Sequence, residues 1–298
     1  SAVVKQGGKS IGYIRLPAFY ADFAKTSGRS CSEDVRKEIE KLKSDRVDGV
    51  VLDLRDNGGG SLQDVVAMAG LFIEKGPIVQ VKQNTRPAQV MNDKDPSVVY
   101  DGPLAVMVNE HSASASEIMA AAIQDYGRGV IIGSTSTFGK GSVQVFVSLD
   151  DSAKPPLDTL KPMGSLKLTT QKFFRVNGGS TQLKGVASDI VLPAIIRYLD
   201  FGEKELENPM PWDQIPAARY KPWKKTWDAA ELKKKSEERV KADEFFRLVD
   251  AEARQLKEER DHSTVSLKLS SYRDRLKKQR EETAKLEKLQ TEIAGMEL

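Results

Sequence analysis

The stretch GVVLDLRDNGGGSLQDVVAMAGLF (49–72) decides how the rest of the chain is read. Gly49–Leu54 is a short β-branched, apolar run with the character of a strand. Leu62–Phe72 resumes an apolar pattern of helical period after Gly58, Gly59 and Gly60. A strand that passes through glycines into a helix is half of a βαβ unit, so the neighbouring segments are read for the other half. Upstream, Ile11–Leu16 (IGYIRL) reads as a strand; Ser30 and Glu33 have capping-box spacing, and Val35, Ile39 and Leu42 share a helical face. Downstream come strand-like IVQVK (78–82) and PLAVMVN (103–109), a helix of small residues at 115–126, and GVIIG (129–133). This alternation predicts a largely parallel α/β sheet with helices over its faces. SVQVFVSL (142–149) and GSLKLTTQKFFRV (164–176) follow without helices and predict a separate antiparallel ribbon.

The character of the chain changes after residue 200. PMPWDQIPAARYKPW (209–223) is rich in Pro and Trp and reads as an ordered connector or boundary. Charged residues make up about half of 221–298, which reads as helices with solvated faces. Leu286, Leu289, Ile293 and Met296 begin an a/d stripe, read as a helix packed on its own domain rather than a coiled coil. No internal repeat of solenoid length is evident.

Composition narrows the chemistry. In 298 residues, 46 Lys+Arg face 43 Asp+Glu, a net charge of +3, which disfavours a general nucleic-acid binder. Cys31 is the only cysteine, so intrachain disulfides, Cys-rich zinc sites and CxxC redox chemistry are excluded. With only His111 and His262, a His-based metal cage would need several carboxylates, whereas chemistry at a serine nucleophile requires no metal or organic cofactor. No apolar run is long enough to span a membrane, and SAVVKQGGKS (1–10) lacks the regions of a signal peptide.

Three segments carry residues able to do chemistry. In DLRDNGGGSL (53–62) the glycines allow close backbone approach, and the following helix start presents unpaired N–H groups. That is either a tight turn or a place to hold an anion or a developing oxyanion; it matches neither GxGxxG nor a P-loop. In HSASASEIMAAAIQDYGR (111–128), serines alternate with alanines where a strand gives way to a helix. One of them is an N-cap, or a nucleophile exposed at the strand-to-helix junction; Glu117 and Asp125 are equally readable as capping or surface acids. In STFGKGSVQ (136–144), Gly139 and Gly141 flank Lys140, which is a loop-tip charge unless burial lowers its pKa enough for a general base. His262 lies in a charged helical stretch and His111 is three residues from Ser114, so a Ser-Lys pair suits a serine nucleophile better than a Ser-His-Asp triad.

These segments, in this order, resemble the tail-specific or C-terminal-processing serine peptidases. The resemblance continues through GLFIEKGPIVQV (70–81), QKFFRVNGGSTQLKGVASDIVLP (171–193) and PWDQIPAARY (211–220) into the charged tail. Within the family, the tail and PWDQI look most like the large periplasmic branch of Gram-negative bacteria. The resemblance implies a crotonase-like α/β core with a β-rich extension at 1–205, then a charged helical domain at 206–298. It implies Ser114 as nucleophile, Lys140 as base and Gln144 as the residue orienting it. The oxyanion hole would be the N–H groups of Gly60 and Ala115, with Gly59 letting the backbone approach and Glu117, Asp125 and Thr137 in support. Implied partners are proteins or peptides with exposed C-termini, and an adaptor protein; the setting is periplasmic, and any membrane association is not encoded in this chain. Two departures stand out. Gly133–Lys140 reads GSTSTFGK where the family has G-E-P-T-[FY]-G-K, one residue longer and without the Glu-Pro pair. The family's PDZ domain and helical N-terminal region are not present before Ile11. Together they imply a weakened protease, with Ser114 and Lys140 beyond hydrogen-bonding reach or the 133–141 loop mobile. Two other classes share the backbone features: a crotonase-type enzyme of acyl thioesters and a non-catalytic scaffold.

Overall fold

The computed structural model describes residues 1–22, 28–152, 154, 157–224, 227–262, 264 and 266–294. Its centre is a six-stranded sheet in the order β1-β2-β3-β6-β7-β10, formed by β1 (Ala2–Gln6), β2 (Lys9–Arg15), β3 (Gly49–Asp53), β6 (Leu104–Val108), β7 (Val130–Gly133) and β10 (Ile190–Val191). All neighbours run parallel except the β1–β2 hairpin. Register places Val50 beside Leu104 and Leu52 beside Val106, apolar residues whose side chains are all buried. Three helices accompany the sheet: α1 (Cys31–Ser44), α2 (Leu62–Gly70) and α3 (Ala115–Tyr126), with α2 packed between α1 and α3. α3 is buried on nearly every side, Met119 to Ile123 included, which its alanines permit by letting neighbours approach closely. It stops at Gly127, whose left-handed φ of 65° ends the helix without strain.

A second, four-stranded antiparallel sheet has the order β5-β4-β9-β8, from β4 (Gly76–Lys82), β5 (Gln89–Asp93), β8 (Ser142–Ser148) and β9 (Ser165–Phe174). The expected ribbon is its β8–β9 half. Three readings are corrected here. IVQVK belongs to this sheet and not to the parallel one, because β4 pairs with β9 through Val81 and Phe173, both buried. β1 and β5 carry no strong apolar run and were not anticipated. The capping box at Ser30 and Glu33 does not form: the Ser30 hydroxyl donates to Asp64 Oδ1 on α2 instead, so the start of α1 is tied to its neighbour.

The connector 209–223 is strapped along the core. Ile215 N–H donates to Gly178 O, Ala218 N–H to Val176 O and Trp223 N–H to Tyr126 O. Beyond it lie α4 (Ala229–Ala242), α5 (Glu244–Asp261) and α6 (Leu269–Ala294). Asp228 and Asp243 cap α4 and α5; α5 buries Val249 and Ala253, and its Asp250 carboxylate accepts from the Tyr198 hydroxyl of the preceding segment. Of the expected stripe, Met296 and the side chains of Leu286, Leu289 and Ile293 lie outside the described residues. Among the described residues no helix is long and apolar enough to cross a membrane. The fold is therefore an α/β core with a β-rich extension, followed by a helical region.

Arg128, just past α3, is a buried cation that forms no ion pair among the described residues, with the charge of Asp101 acting on it only weakly. Its guanidinium donates to Phe72 O (2.8 Å) and Tyr100 O (2.7 Å) and stacks 4.8 Å from the Trp223 ring, so it joins core to connector. Burial pulls its pKa down to about 10. An ammonium lacks the planar fork that reaches both carbonyls. Arg128→Lys is therefore expected to cost about 1–3 kcal/mol in urea unfolding; an unchanged midpoint would remove this link from the account.

Candidate active site

The strand-to-helix turns after β3 and β6 lie against each other, and the loop after β7 closes over them. Ser114 sits at the start of α3 with φ 57° and ψ −112°, a backbone that costs a non-glycine residue about 1–3 kcal/mol. Ser114 lines a cleft of about 190 Å³ together with Gly58, Gly60, Ala115, Lys140 and Gln144. Gly59 allows this approach: a Cβ there would lie 2.7 Å from Ser114 Cβ. Gly60, at φ 143°, turns its own backbone past Phe19, whose carbonyl a Cβ would meet at 2.2 Å. Phe19 O accepts from Ser61 N–H and Phe19 N–H donates to Gly59 O, and this leaves the Gly60 N–H, like that of Ala115, without a partner among the described residues.

The flanking serines are engaged elsewhere. Ser112 Oγ donates to Leu54 O and Ser116 Oγ to Asn57 O, each at 2.8 Å, so both stitch the serine turn to the glycine turn. Asn57 completes that seam: it accepts from Gly59 N–H, donates to Leu16 O, and its own carbonyl accepts from Ala113 N–H.

Glu117 is fully buried one turn into α3. Its carboxylate accepts four hydrogen bonds, from Ser114 N–H (2.8 Å), Thr137 Oγ1 (2.6 Å), Gly139 N–H (2.8 Å) and Lys140 N–H (3.0 Å). One side chain thus holds the serine turn and the lysine loop together. Burial pushes its pKa up to about 7, against these bonds, which favour the charged form. Thr137 in turn accepts from Val186 N–H. Of the two residue-based readings of Glu117, the capping acid holds, since its carboxylate accepts from the N-cap N–H, and the surface acid does not.

Lys140 is half-buried, and Nζ donates to Gln144 Oε1 at 3.0 Å. Among the described residues no hydrogen bond joins Nζ to the Ser114 hydroxyl, although both line the same cleft. Burial lowers the lysine pKa, the neighbouring Lys167 lowers it further, and the charges of Glu203 and Glu117 oppose both. The longer GSTSTFGK loop is held in place: Ser134 Oγ donates to Ser136 O, and Ser136 Oγ to Lys184 O. Asp125 stands apart from the cleft, paired with Arg175 at 2.6 Å and with Asn177 at the other end of α3. His111 is exposed beside Asp56, and His262 ends α5. Among the described residues no cluster of His, Cys, Asp and Glu could hold a metal ion. Asn57, Lys167 and Gln182 belong to the site and were not singled out from sequence: the residues that Asn57 ties together beyond its own turn, Leu16, Ala113 and Ser116, are distant in the chain, as is the loop on which Lys167 and Gln182 act. A hydroxyl on a strained turn, two unpaired N–H groups and a lysine of lowered pKa in one cleft can support acyl transfer to serine.

Comparison with known proteins agrees. The model of peptidase family S41 matches residues 10–192, and that of the C-terminal domain of tail-specific protease (DUF3340) matches 196–297. The chain belongs to peptidase family S41. It is 49% identical over 216 residues to the tail-specific protease of Haemophilus influenzae, covering 72% of this chain and 29% of that protein. A carboxy-terminal-processing protease of Bartonella bacilliformis is 34% identical over 66% of this chain and 43% of its own length. Among solved structures, a photosystem II D1 C-terminal processing protease aligns with TM-score 0.50 and 29% identity, over 61% of this chain and 42% of that one. The chain spans less than half the length of these S41 relatives.

The Glu117 clip makes a pH-dependent prediction. Its folded pKa of about 7 lies above the ordinary glutamate value of about 4.3. The stability this difference confers is fully present below the unfolded value and is lost as pH rises through about 7. Glu117→Gln removes that dependence, and its amide nitrogen cannot accept from the donors it would face. Urea unfolding should show a loss of about 2–3 kcal/mol at pH 5 that shrinks towards pH 8; a loss independent of pH would contradict the raised pKa.

Proposed function

We propose that this chain is the catalytic portion of a serine endopeptidase that cleaves proteins near their C-termini. Residues 1–205 would be the peptidase core and 206–298 a charged helical domain. The reading is carried by one observation: Ser114, alone of the three serines in its motif, lines the cleft, on a strained helix-start turn with unpaired N–H groups beside it. In the proposed reaction Ser114 Oγ attacks the scissile carbonyl carbon while neutral Lys140 takes the hydroxyl proton. The oxyanion so formed accepts from the Gly60 and Ala115 N–H groups. As the C–N bond breaks, the lysine returns the proton to the departing amine, leaving an ester on Ser114. Water then attacks that ester, its proton passing to Lys140; as the C–Oγ bond breaks, the lysine returns the proton to Ser114 Oγ, which regenerates the serine and the neutral lysine and releases a new C-terminus. Gln144 holds the lysine side chain, while Glu117 and Thr137 hold the loop. Asp125 supports from the far end of α3.

The lowered lysine pKa favours the neutral form this mechanism needs. Family membership supports protein or peptide substrates. The names of the tail-specific and C-terminal-processing relatives support action near exposed C-termini; a periplasmic setting and an adaptor protein are part of the proposal, and a PDZ domain in the rest of a longer protein would strengthen substrate capture.

A fluorophosphonate probe tests the assignment. Wild-type chain should be labelled at Ser114, and Ser114→Ala should lose labelling and any peptide hydrolysis by about a thousandfold or more. Absence of labelling together with turnover of acyl thioesters would replace this reading with a crotonase-type one. Lys140→Arg should be nearly as inert as Lys140→Ala, because a guanidinium cannot give up its proton near neutral pH. Full activity in Lys140→Arg would show that the serine uses another base.

A further inference from the structure

Behind the lysine loop, three consecutive residues each engage one residue of it. Thr181 Oγ1 donates to Lys140 O (2.8 Å), Gln182 Oε1 accepts from Gly141 N–H (2.8 Å), and Leu183 N–H donates to Gly139 O (2.7 Å). Gln182 is 1% exposed, and the rest of its amide is also committed: Nε2 donates to Glu203 Oε1 (3.2 Å) and Met210 O (3.1 Å). Glu203 is itself buried and forms no ion pair among the described residues. Its N–H donates to Phe138 O (2.9 Å), two residues before Lys140, and Gly202 must be glycine there, since a Cβ would lie 2.5 Å from that carbonyl. Phe201 completes the contact, 5.9 Å from the Phe138 ring and 4.7 Å from His111, the residue three before Ser114. The segment that leads into the helical region therefore touches both turns of the site.

We propose that Gln182 and Glu203 form a positioning pair for Lys140, through which the segment entering the C-terminal region sets the orientation and charge of the lysine. The proposal rests on Lys140 being the base. Gln182 fixes the backbone on the far side of Lys140 from Glu117, so the loop is gripped at Gly139 and at Gly141. Glu203 contributes a buried carboxylate that no ion pair neutralises among the described residues. The charged groups acting on the lysine are Lys167, Glu203 and Glu117, and the latter two favour its ammonium form. Glu203 thus holds the lysine protonated to higher pH than burial alone would.

The test is the rate of fluorophosphonate labelling of Ser114 in this chain, followed from pH 5 to 10. Glu203→Gln keeps an acceptor for Gln182 but removes the charge. Its rate should rise at a pH lower than wild type by about half a unit or more, with an equal plateau. Gln182→Leu leaves the Gly141 N–H and the Glu203 carboxylate unpaired; its plateau should fall about 10–100-fold, while its affinity for a peptide inhibitor changes little. Coincident pH profiles for wild type and Glu203→Gln would overturn the charge role, and an unchanged plateau in Gln182→Leu would overturn the positioning role. If Gln182→Leu does not fold, Gln182→Asn, whose amide falls one methylene short of the Gly141 N–H, takes its place, and an unchanged plateau there overturns the positioning role. Wild-type chain that is not labelled at all would instead overturn the function on which this rests.

Discussion

A carboxylate sealed from water must find all its hydrogen bonds in the protein, and Glu117 finds four of them on two loops that are otherwise independent. Without that group, the serine turn after β6 and the lysine loop after β7 would share little beyond the Phe138 N–H to Ser112 O bond. Burying a charge is unfavourable unless donors surround it. Every residue that contributes a donor here is therefore fixed by the same requirement. The turn at Ser114 is held with φ positive, Gly139 and Lys140 present consecutive N–H groups, and Thr137 is locked between the carboxylate and Val186. The cleft follows from this arrangement.

The rest of the core serves the turn from the other side. Asn57, Ser112 and Ser116 bind the glycine turn to the serine turn, and Gly59 and Gly60 let the two backbones meet. The parallel sheet places both turns at the same edge, because β3 and β6 are adjacent and each ends where its helix begins. In open α/β sheets such adjacent carboxyl ends are where ligands bind. The antiparallel sheet adds the floor: β8 carries Ser142, Val143 and Gln144, and β9 brings Lys167 and Phe173.

Much of this was legible in the sequence where the signal is local. The strand-glycine-helix unit at 49–72 and the alanine-rich helix at 115–126 follow from periodicity and side-chain size alone. Residues without a local signal were not legible. β1 and β5 lack an apolar pattern and exist by pairing. β4 reads as a strand, but nothing in IVQVK says which sheet it joins. The Ser30–Glu33 spacing suggested a capping box, yet Asp64, 34 residues away, offers the serine a better acceptor. Gln182 and Lys167 act on a loop 41 and 27 positions away, which no motif within one segment can announce. For the candidate site, residue types alone favoured a capping serine over a nucleophile; the resemblance chose Ser114, and the structure brought Ser114, Ala115, Gly60, Lys140 and Gln144 to one cleft while leaving Asp125 outside it.

The central claim is that burial in this cleft prepares Lys140 to accept a proton. Lysine-selective 13C NMR measures that directly, with Lys140 assigned by its loss in Lys140→Arg. One lysine should titrate clearly below the ordinary value of about 10.4, and its resonance should be the one that disappears. If every lysine, Lys140 included, titrates at the ordinary value, the lysine is a solvated surface charge and the account of the site is wrong.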